Sequence, residues 1–342
     1  MHWKDIESDK GRWVGLEIQC GERASGFRKS ALRVESGVEG WLRLVQDCAG
    51  SDQARVRWWA RQEPEYDGVH LLRSDEAMAS PVPAWVLDSA MVQRHAALEP
   101  AQRMPSWSRV FARALADGPA SFLHSGDWVL LGAHATSEGW QYETGPLRGM
   151  EPYRYRGGEH LREALRDDPL IYLDWWHPRR EVLSLRALTD ADEGRIAWWR
   201  KKSREGALPP VLLWYLSCLE AYVVVDGHAR LRAALLEERA PDLLIAHSVY
   251  QRTPERDRVA QQRILDTVAR HAQELERGLP GRRPIATDSL NDLLISAFDD
   301  RPLVFAQTYG WATRRSEAQW LDDVGARLLA LGRGERLQDF RR

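Results

Sequence analysis

The chain has 342 residues, which at about 100–200 residues per domain predicts two domains and allows three. Hydrophobic residues make up 44% and charged residues 29%, ordinary for a folded protein and too apolar for disorder as the default. Forty-eight basic against fifty acidic side chains leave a formal net charge of −2, which excludes a global basic field for holding nucleic acid.

In chain order, Met1-His2-Trp3-Lys4-Asp5-Ile6-Glu7 is polar from its second residue, without the basic start and apolar run of a signal peptide. Residues 1–160 show short mixed runs broken by Gly, Pro and charges. Ser106 to Leu115 reads as a short helix with Val110, Phe111 and Leu115 on one side. Trp128 to Gly132 and Gly139 to Glu143 read as strands, bounded by Gly126-Asp127 and by Gly145-Pro146. An α+β module is expected here. The stretch Arg148 to Glu159, rich in Gly, Arg and Tyr, is the expected linker.

Residues 161–252 read as a central unit in which strands and helices alternate. Pro169 to Asp174, Pro209 to Tyr215, Glu220 to Val225 and Leu243 to His247 read as strands, and Asp190 to Glu205 and Ala229 to Glu238 as helices. Residues 253–342 read as a helical region. Thr253-Pro254-Glu255 supplies a capping hydroxyl and a first-turn proline, and Ile264, Leu265, Val268, Ala272 and Leu275 mark one helix face. Gly278-Leu279-Pro280-Gly281 stops that helix; Leu290 to Phe298 and Leu321 to Leu331 mark two more, the last ended by Gly332. No run nears the about 20 apolar residues of a membrane helix, so no membrane partner is expected. Cys20, Cys48 and Cys218 are widely spaced without a C-x-x-C pair, which argues against a disulfide framework or thiolate zinc site. Cytoplasmic residence is the expectation.

The segment that carries chemistry is Tyr222-Val223-Val224-Val225-Asp226-Gly227-His228-Ala229-Arg230-Leu231-Arg232-Ala233-Ala234. A β-branched strand runs into an Ala- and Leu-rich helix with only Gly227 between. The first amides of such a helix have no internal partners and sit at its positive end, which makes an anion site. Arg230 and Arg232 add planar donors suited to phosphate oxygens, although two positions apart they point in different directions. Asp226 at the strand end is placed to hold Mg²⁺ beside phosphates or take a proton, and His228 to orient a phosphate or act as acid or base.

This segment resembles the signature of the ParB/sulfiredoxin-like superfamily, over residues 170–245, under a quarter of the chain. ParB-type nucleotide-binding domains carry Gly-Glu-Arg-Arg-x-Arg-Ala-Ala, which grips the triphosphate of CTP. Gly227, Arg230, Arg232, Ala233 and Ala234 align with that frame, while the glutamate and first arginine are replaced. Free-serine kinases of the superfamily carry Asp-Gly-His-x-Arg, and Asp226-Gly227-His228-Ala229-Arg230 is similar in full; their aspartate is implicated in phosphoryl transfer. His228 stands where sulfiredoxins need a cysteine, which argues against their chemistry. Upstream, His177-Pro178-Arg179-Arg180 resembles the superfamily's Asn-Pro-Arg turn, followed by Glu205-Gly206 and the strand led by Pro209-Pro210, and the resemblance implies a phosphate contact for Arg179.

Other signals are weaker. His124 and His134 lie ten apart with Asp127 between, but loop histidines of this kind are seldom ligands. No Gly-x-Ser-x-Gly elbow or P-loop occurs. The sixteen tryptophans outnumber the nine tyrosines and six phenylalanines combined, so the pairs 58–59, 175–176 and 198–199 are expected to pack the core or an interdomain seam. Trp175 and Trp176, just before the His-Pro-Arg turn, are also placed to stack on a base. Glu181, Asp190, Asp192 and Glu193 are candidates for a second carboxylate, with none singled out.

The expectation is therefore an α+β chain in which a central ParB/sulfiredoxin-like domain binds a nucleotide (ATP, ADP or CTP) with Mg²⁺. Gly227, Arg230, Arg232 and Arg179 would hold phosphates, Asp226 the metal or proton, with His228 assisting. The favoured function is phosphoryl transfer to a small hydroxylated metabolite, or nucleotide hydrolysis. One alternative is a non-catalytic, nucleotide-gated regulatory protein with a protein partner or as a homodimer. The other is a nuclease or DNA-associated protein, disfavoured by the charge and by the lack of a DNA-reading helix-turn-helix after His247.

Overall fold

The computed structural model describes residues 1–341 other than 22–29, 39, 48–53, 66, 76–79, 119, 137–138, 151, 157–160, 163, 166–167, 177–181, 254, 256, 279–282, 285 and 299–301. The N-terminal part supplies β1 (His2–Glu7), β2 (Trp13–Cys20), β3 (Leu32–Ser36), β4 (Trp41–Gln46), β5 (Arg55–Gln62) and β6 (Gly68–Arg73). Helices α1 (Ser89–Ala96) and α2 (Pro100–Asp117) precede β7 (Gly126–Thr136), β8 (Gly139–Tyr142) and β9 (Tyr153–Arg156). Then come β10 (Leu170–Asp174), β11 (Val182–Ser184), α3 (Glu193–Arg204), β12 (Val211–Leu216), β13 (Ala221–Asp226), α4 (His228–Leu236) and β14 (Leu243–Arg252). Last are α5 (Arg258–Glu276), α6 (Thr287–Phe298), β15 (Leu303–Ala306), β16 (Gly310–Ala312) and α7 (Glu317–Ala330). The fold is α+β.

Two sheets organise the main body. The larger runs β1-β2-β7-β14-β12-β13-β11, with parallel pairs β14/β12 and β13/β11 and the other neighbours antiparallel. The second runs β10-β6-β5-β4-β3-β16, antiparallel except where β16 lies parallel to β3. Because side chains alternate along a strand, neighbouring residues serve opposite faces. Leu42 and Trp58 enter a core shared with Leu16, Trp128 and Leu212 of the larger sheet and Phe111 of α2. Trp41 and Trp59 point the other way and pack on Trp320, Val324 and Leu328 of α7, with Phe340. The tryptophan pair at 58–59 thus belongs to two cores, one on each side of a single sheet.

The described residues divide into a unit of Met1–Pro146, Glu151–Tyr250 and Ala306–Arg342, and a unit of Leu147–Met150 and Gln251–Phe305. The expected boundary after residue 160 lies inside the first unit, because β7 pairs with both β2 and β14 and so ties the expected first and second domains into one sheet. The expected linker holds β9, which pairs with β8. The expected helical region 253–342 is likewise divided: β15 and β16 interrupt it, and α7 belongs to the first unit.

In the second unit α5 and α6 pack on each other, with Gln261 Nε2 donating to the Ala297 carbonyl at 2.9 Å. The cap of α5 is Asp257, which accepts from the Ala260 amide at 2.9 Å, in place of the expected Thr253 turn; Pro254 lies outside the described residues. No described helix is long and apolar enough to cross a membrane.

Candidate anion-binding site

β13 is buried along its whole length, as its Val223-Val224-Val225 run requires of a strand with neighbours on both edges and packing on both faces. Its end turns at Gly227, whose φ of +98° is a left-handed conformation that only glycine adopts freely. A Cβ there would also stand 2.7 Å from Nη2 of Arg230. The helix α4 starts at once with His228 and has no side-chain cap, so its first amides face out at the positive end of the dipole. Strand, turn and helix form here as the sequence predicts.

Arg230 lies back against this turn. Its Nη2 donates to Asp226 Oδ2 at 2.6 Å and to the Pro210 carbonyl at 3.1 Å, and the guanidinium sits over the rings of Phe111 (5.8 Å) and Trp199 (5.5 Å). The other oxygen of Asp226 accepts from Ser80 Oγ at 2.6 Å. Both charges are deep, with Arg230 3% and Asp226 9% exposed, so each neutralises the other in a place where either alone is costly. Arg230 Nε and His228 Nε2 are buried with no hydrogen-bond partner among the described residues. Burial, with the Arg186 charge second, pushes the pKa of His228 down to about 3, so its ring is neutral near pH 7.

These groups open on a cavity of about 940 Å³ inside the first unit. The lining includes Val225 to Arg230 together with Arg186, Thr189, Asp192, Arg195 and Trp199 from the β11–α3 segment. It also includes Arg73 at the end of β6, Asp75, Ser80 and Arg327 of α7. Thr189 and Asp192 form a capping box before α3, and Arg186 holds both oxygens of Asp192 at 2.7 Å. That bidentate contact, with help from Thr189, holds the Asp192 carboxyl down to about 2. Arg195 lies over Trp199 at 5.0 Å and makes no hydrogen bond or ion pair among the described residues. Burial and the nearby Arg230 charge lower its pKa.

Of the sequence-predicted site residues, Asp226, Gly227, His228 and Arg230 line this cavity. Arg232 does not: it is exposed on the far side of α4, as its two-residue offset from Arg230 dictates. Arg179, with the rest of the His-Pro-Arg turn and Glu181, lies outside the described residues. Trp175 and Trp176 do not line the cavity; their Nε1 atoms donate to the Leu219 carbonyl (3.2 Å) and to Asp67 (2.5 Å). His124 is bonded to Ser125 and Ser248, and His134 lies 3.6 Å from Asp242, so the two do not converge on Asp127.

The donors around Asp226 do not suit Mg²⁺, the metal expected there. A magnesium ion needs free oxygen ligands, whereas Asp226 and Asp192 each spend both oxygens on protein donors and stand beside arginines that repel a cation. No group of three or more His, Cys, Asp or Glu is placed to hold a metal among the described residues.

Sequence reasoning missed Ser80, Arg186, Arg195 and Arg327 as lining residues. The segment Thr189-Asp190-Ala191-Asp192 carries the Thr-x-x-Asp spacing of a helix start, with Arg195 one turn further on, but nothing in it points to a cavity. Arg327 stands far beyond Asp226 in the chain, and no local pattern joins them. Compared with protein-family models, curated proteins and solved structures, the chain matches none.

Proposed function

We propose that this protein binds a nucleotide or another phosphorylated small molecule in the arginine-lined cavity at the start of α4. The observation that carries the reading is Arg195, a cavity-lining guanidinium with no hydrogen bond or ion pair among the described residues, beside the uncapped helix start at His228. Planar donors at an open helix start suit phosphate oxygens. The arginines and the helix dipole favour the same charge. The resemblance of residues 226–230 to the ParB/sulfiredoxin-like superfamily supports the same class of ligand.

Gated binding without turnover is favoured over phosphoryl transfer, because the aspartate that a kinase-like reaction would use is held by Arg230 and Ser80. The transfer reading keeps one support, that Asp226 and His228 face the same cavity. A thermal-shift series with ATP, ADP, CTP and GTP, each with and without Mg²⁺, tests the proposal. A ligand at 100 times its Kd is expected to add about 2.7 kcal/mol, and Arg195→Gln to remove most of that gain. No shift with any nucleotide or with inorganic phosphate overturns the binding reading. Nucleotide turnover that Asp226→Asn abolishes, with binding retained, would replace gating by catalysis.

A further inference from the structure

We infer that the ligand of this cavity carries two separated anionic groups, one held by Arg195 and the start of α4, the other by Arg327 of α7. The inference rests on the anion-binding reading above. Five arginines and three aspartates are among the described lining residues. Arg230 and Arg186 are committed to Asp226 and Asp192, carboxylates only 11% and 16% exposed, and Arg73 is buried. Two arginines remain available.

Arg195 makes no hydrogen bond or ion pair among the described residues, and Arg327 donates from Nε to the Arg73 carbonyl at 3.3 Å and pairs at 2.6 Å with Asp75, whose side chain is 72% exposed. An ion pair with so exposed a carboxylate is weak, and a ligand anion can replace it. The two guanidiniums stand on different elements: α3 beside the larger sheet, and α7, fixed to the second sheet through Trp320, Val324 and Leu328. A cavity of about 940 Å³ is far more than one phosphate fills.

The lining offers guanidiniums from two separate elements and little for a base to stack on. Trp199, the aromatic residue among the described lining residues, is 1% exposed and has Arg195 and Arg230 over its ring. The chemical class is therefore a small bisphosphorylated or polyphosphorylated compound, recognised by its two charged ends.

Calorimetric titration of the full chain with inorganic phosphate and with butane-1,4-diyl bisphosphate tests this. The bisphosphate is expected to bind about tenfold or more tightly than phosphate. Arg327→Gln is expected to remove that advantage, bringing the bisphosphate affinity down to that of phosphate, whereas Asp75→Asn, which frees Arg327, strengthens bisphosphate binding. Arg195→Gln is expected to weaken both ligands. Equal affinities in the unaltered protein, or a ratio indifferent to both Arg327→Gln and Asp75→Asn, overturn the two-ended site while leaving the anion-binding reading intact. Failure of both anions to bind, or binding indifferent to Arg195→Gln, overturns both.

Discussion

Asp226 and Arg230 face each other across one turn, carboxylate Oδ2 accepting from Nη2 at 2.6 Å around the left-handed Gly227. The strand end and the helix start are thereby locked by a buried ion pair as well as by the backbone. Removing one partner leaves the other charge uncompensated, so Arg230→Ala is expected to cost about 3–5 kcal/mol. Asp226→Asn keeps its amide oxygen for Arg230 and turns its NH2 to Ser80 Oγ as a donor, and is expected to cost less, about 1–3 kcal/mol. Urea unfolding measures both; a loss below about 1 kcal/mol for Arg230→Ala would show that the pair contributes little to the fold.

Gly227 has two reasons to be glycine, its φ of +98° and the guanidinium 2.7 Å from where a Cβ would stand. Arg230 is pinned by Asp226 and Pro210 and cannot swing aside cheaply. Gly227→Ala is expected to destabilise the protein by about 1–3 kcal/mol. Thermal melting checks it, and an unchanged midpoint would contradict the geometry.

Protonation of His228 sets a pH dependence with a definite sign. Its folded pKa, pushed down to about 3, lies below the ordinary histidine value of about 6.5, so below that pH the unfolded chain binds a proton that the folded protein does not. Stability therefore falls as pH drops through this window, by up to about 1.4 kcal/mol per pH unit for one group. His95 and His124 are lowered by burial in the same direction, and His134 is raised by Asp242. These three are common to the protein and to a His228→Gln variant, so the difference between the two isolates His228. Urea unfolding from about pH 7 to about pH 4.5 is expected to show a shallower acid loss in the variant. Parallel curves would mean that the ring takes up its proton in the folded state.

The far face of the second sheet supplies a test at α7, the helix that also carries Arg327. Trp41 and Trp320 lie 5.6 Å apart between centroids, and Trp320 is fully buried. Trp320→Ala is expected to cost about 3–5 kcal/mol. Because the two rings touch, the loss in the Trp41→Ala, Trp320→Ala double variant should fall short of the sum of the single losses. Strict additivity in unfolding free energies would mean that α7 is not held through this contact.

Local sequence was enough for the strand from Ala221, the turn at Gly227 and the helix from His228, because β-branched residues, glycine and an Ala-Leu run state their preferences over a few residues. The same kind of reading located α2 and β7 in part and β12 nearly whole. It left the six strands before α1 unassigned, since strands that mix Arg with Trp, as in Arg55–Gln62, present no clean apolar run. That Arg230 turns back on Asp226 while Arg232 faces water, and that Arg195 and Arg327 line one cavity from different elements, became visible only in the folded chain. Those relations depend on strand pairing and helix packing between residues far apart in the chain, and the energy that fixes them comes from burying surfaces that no short stretch of sequence contains.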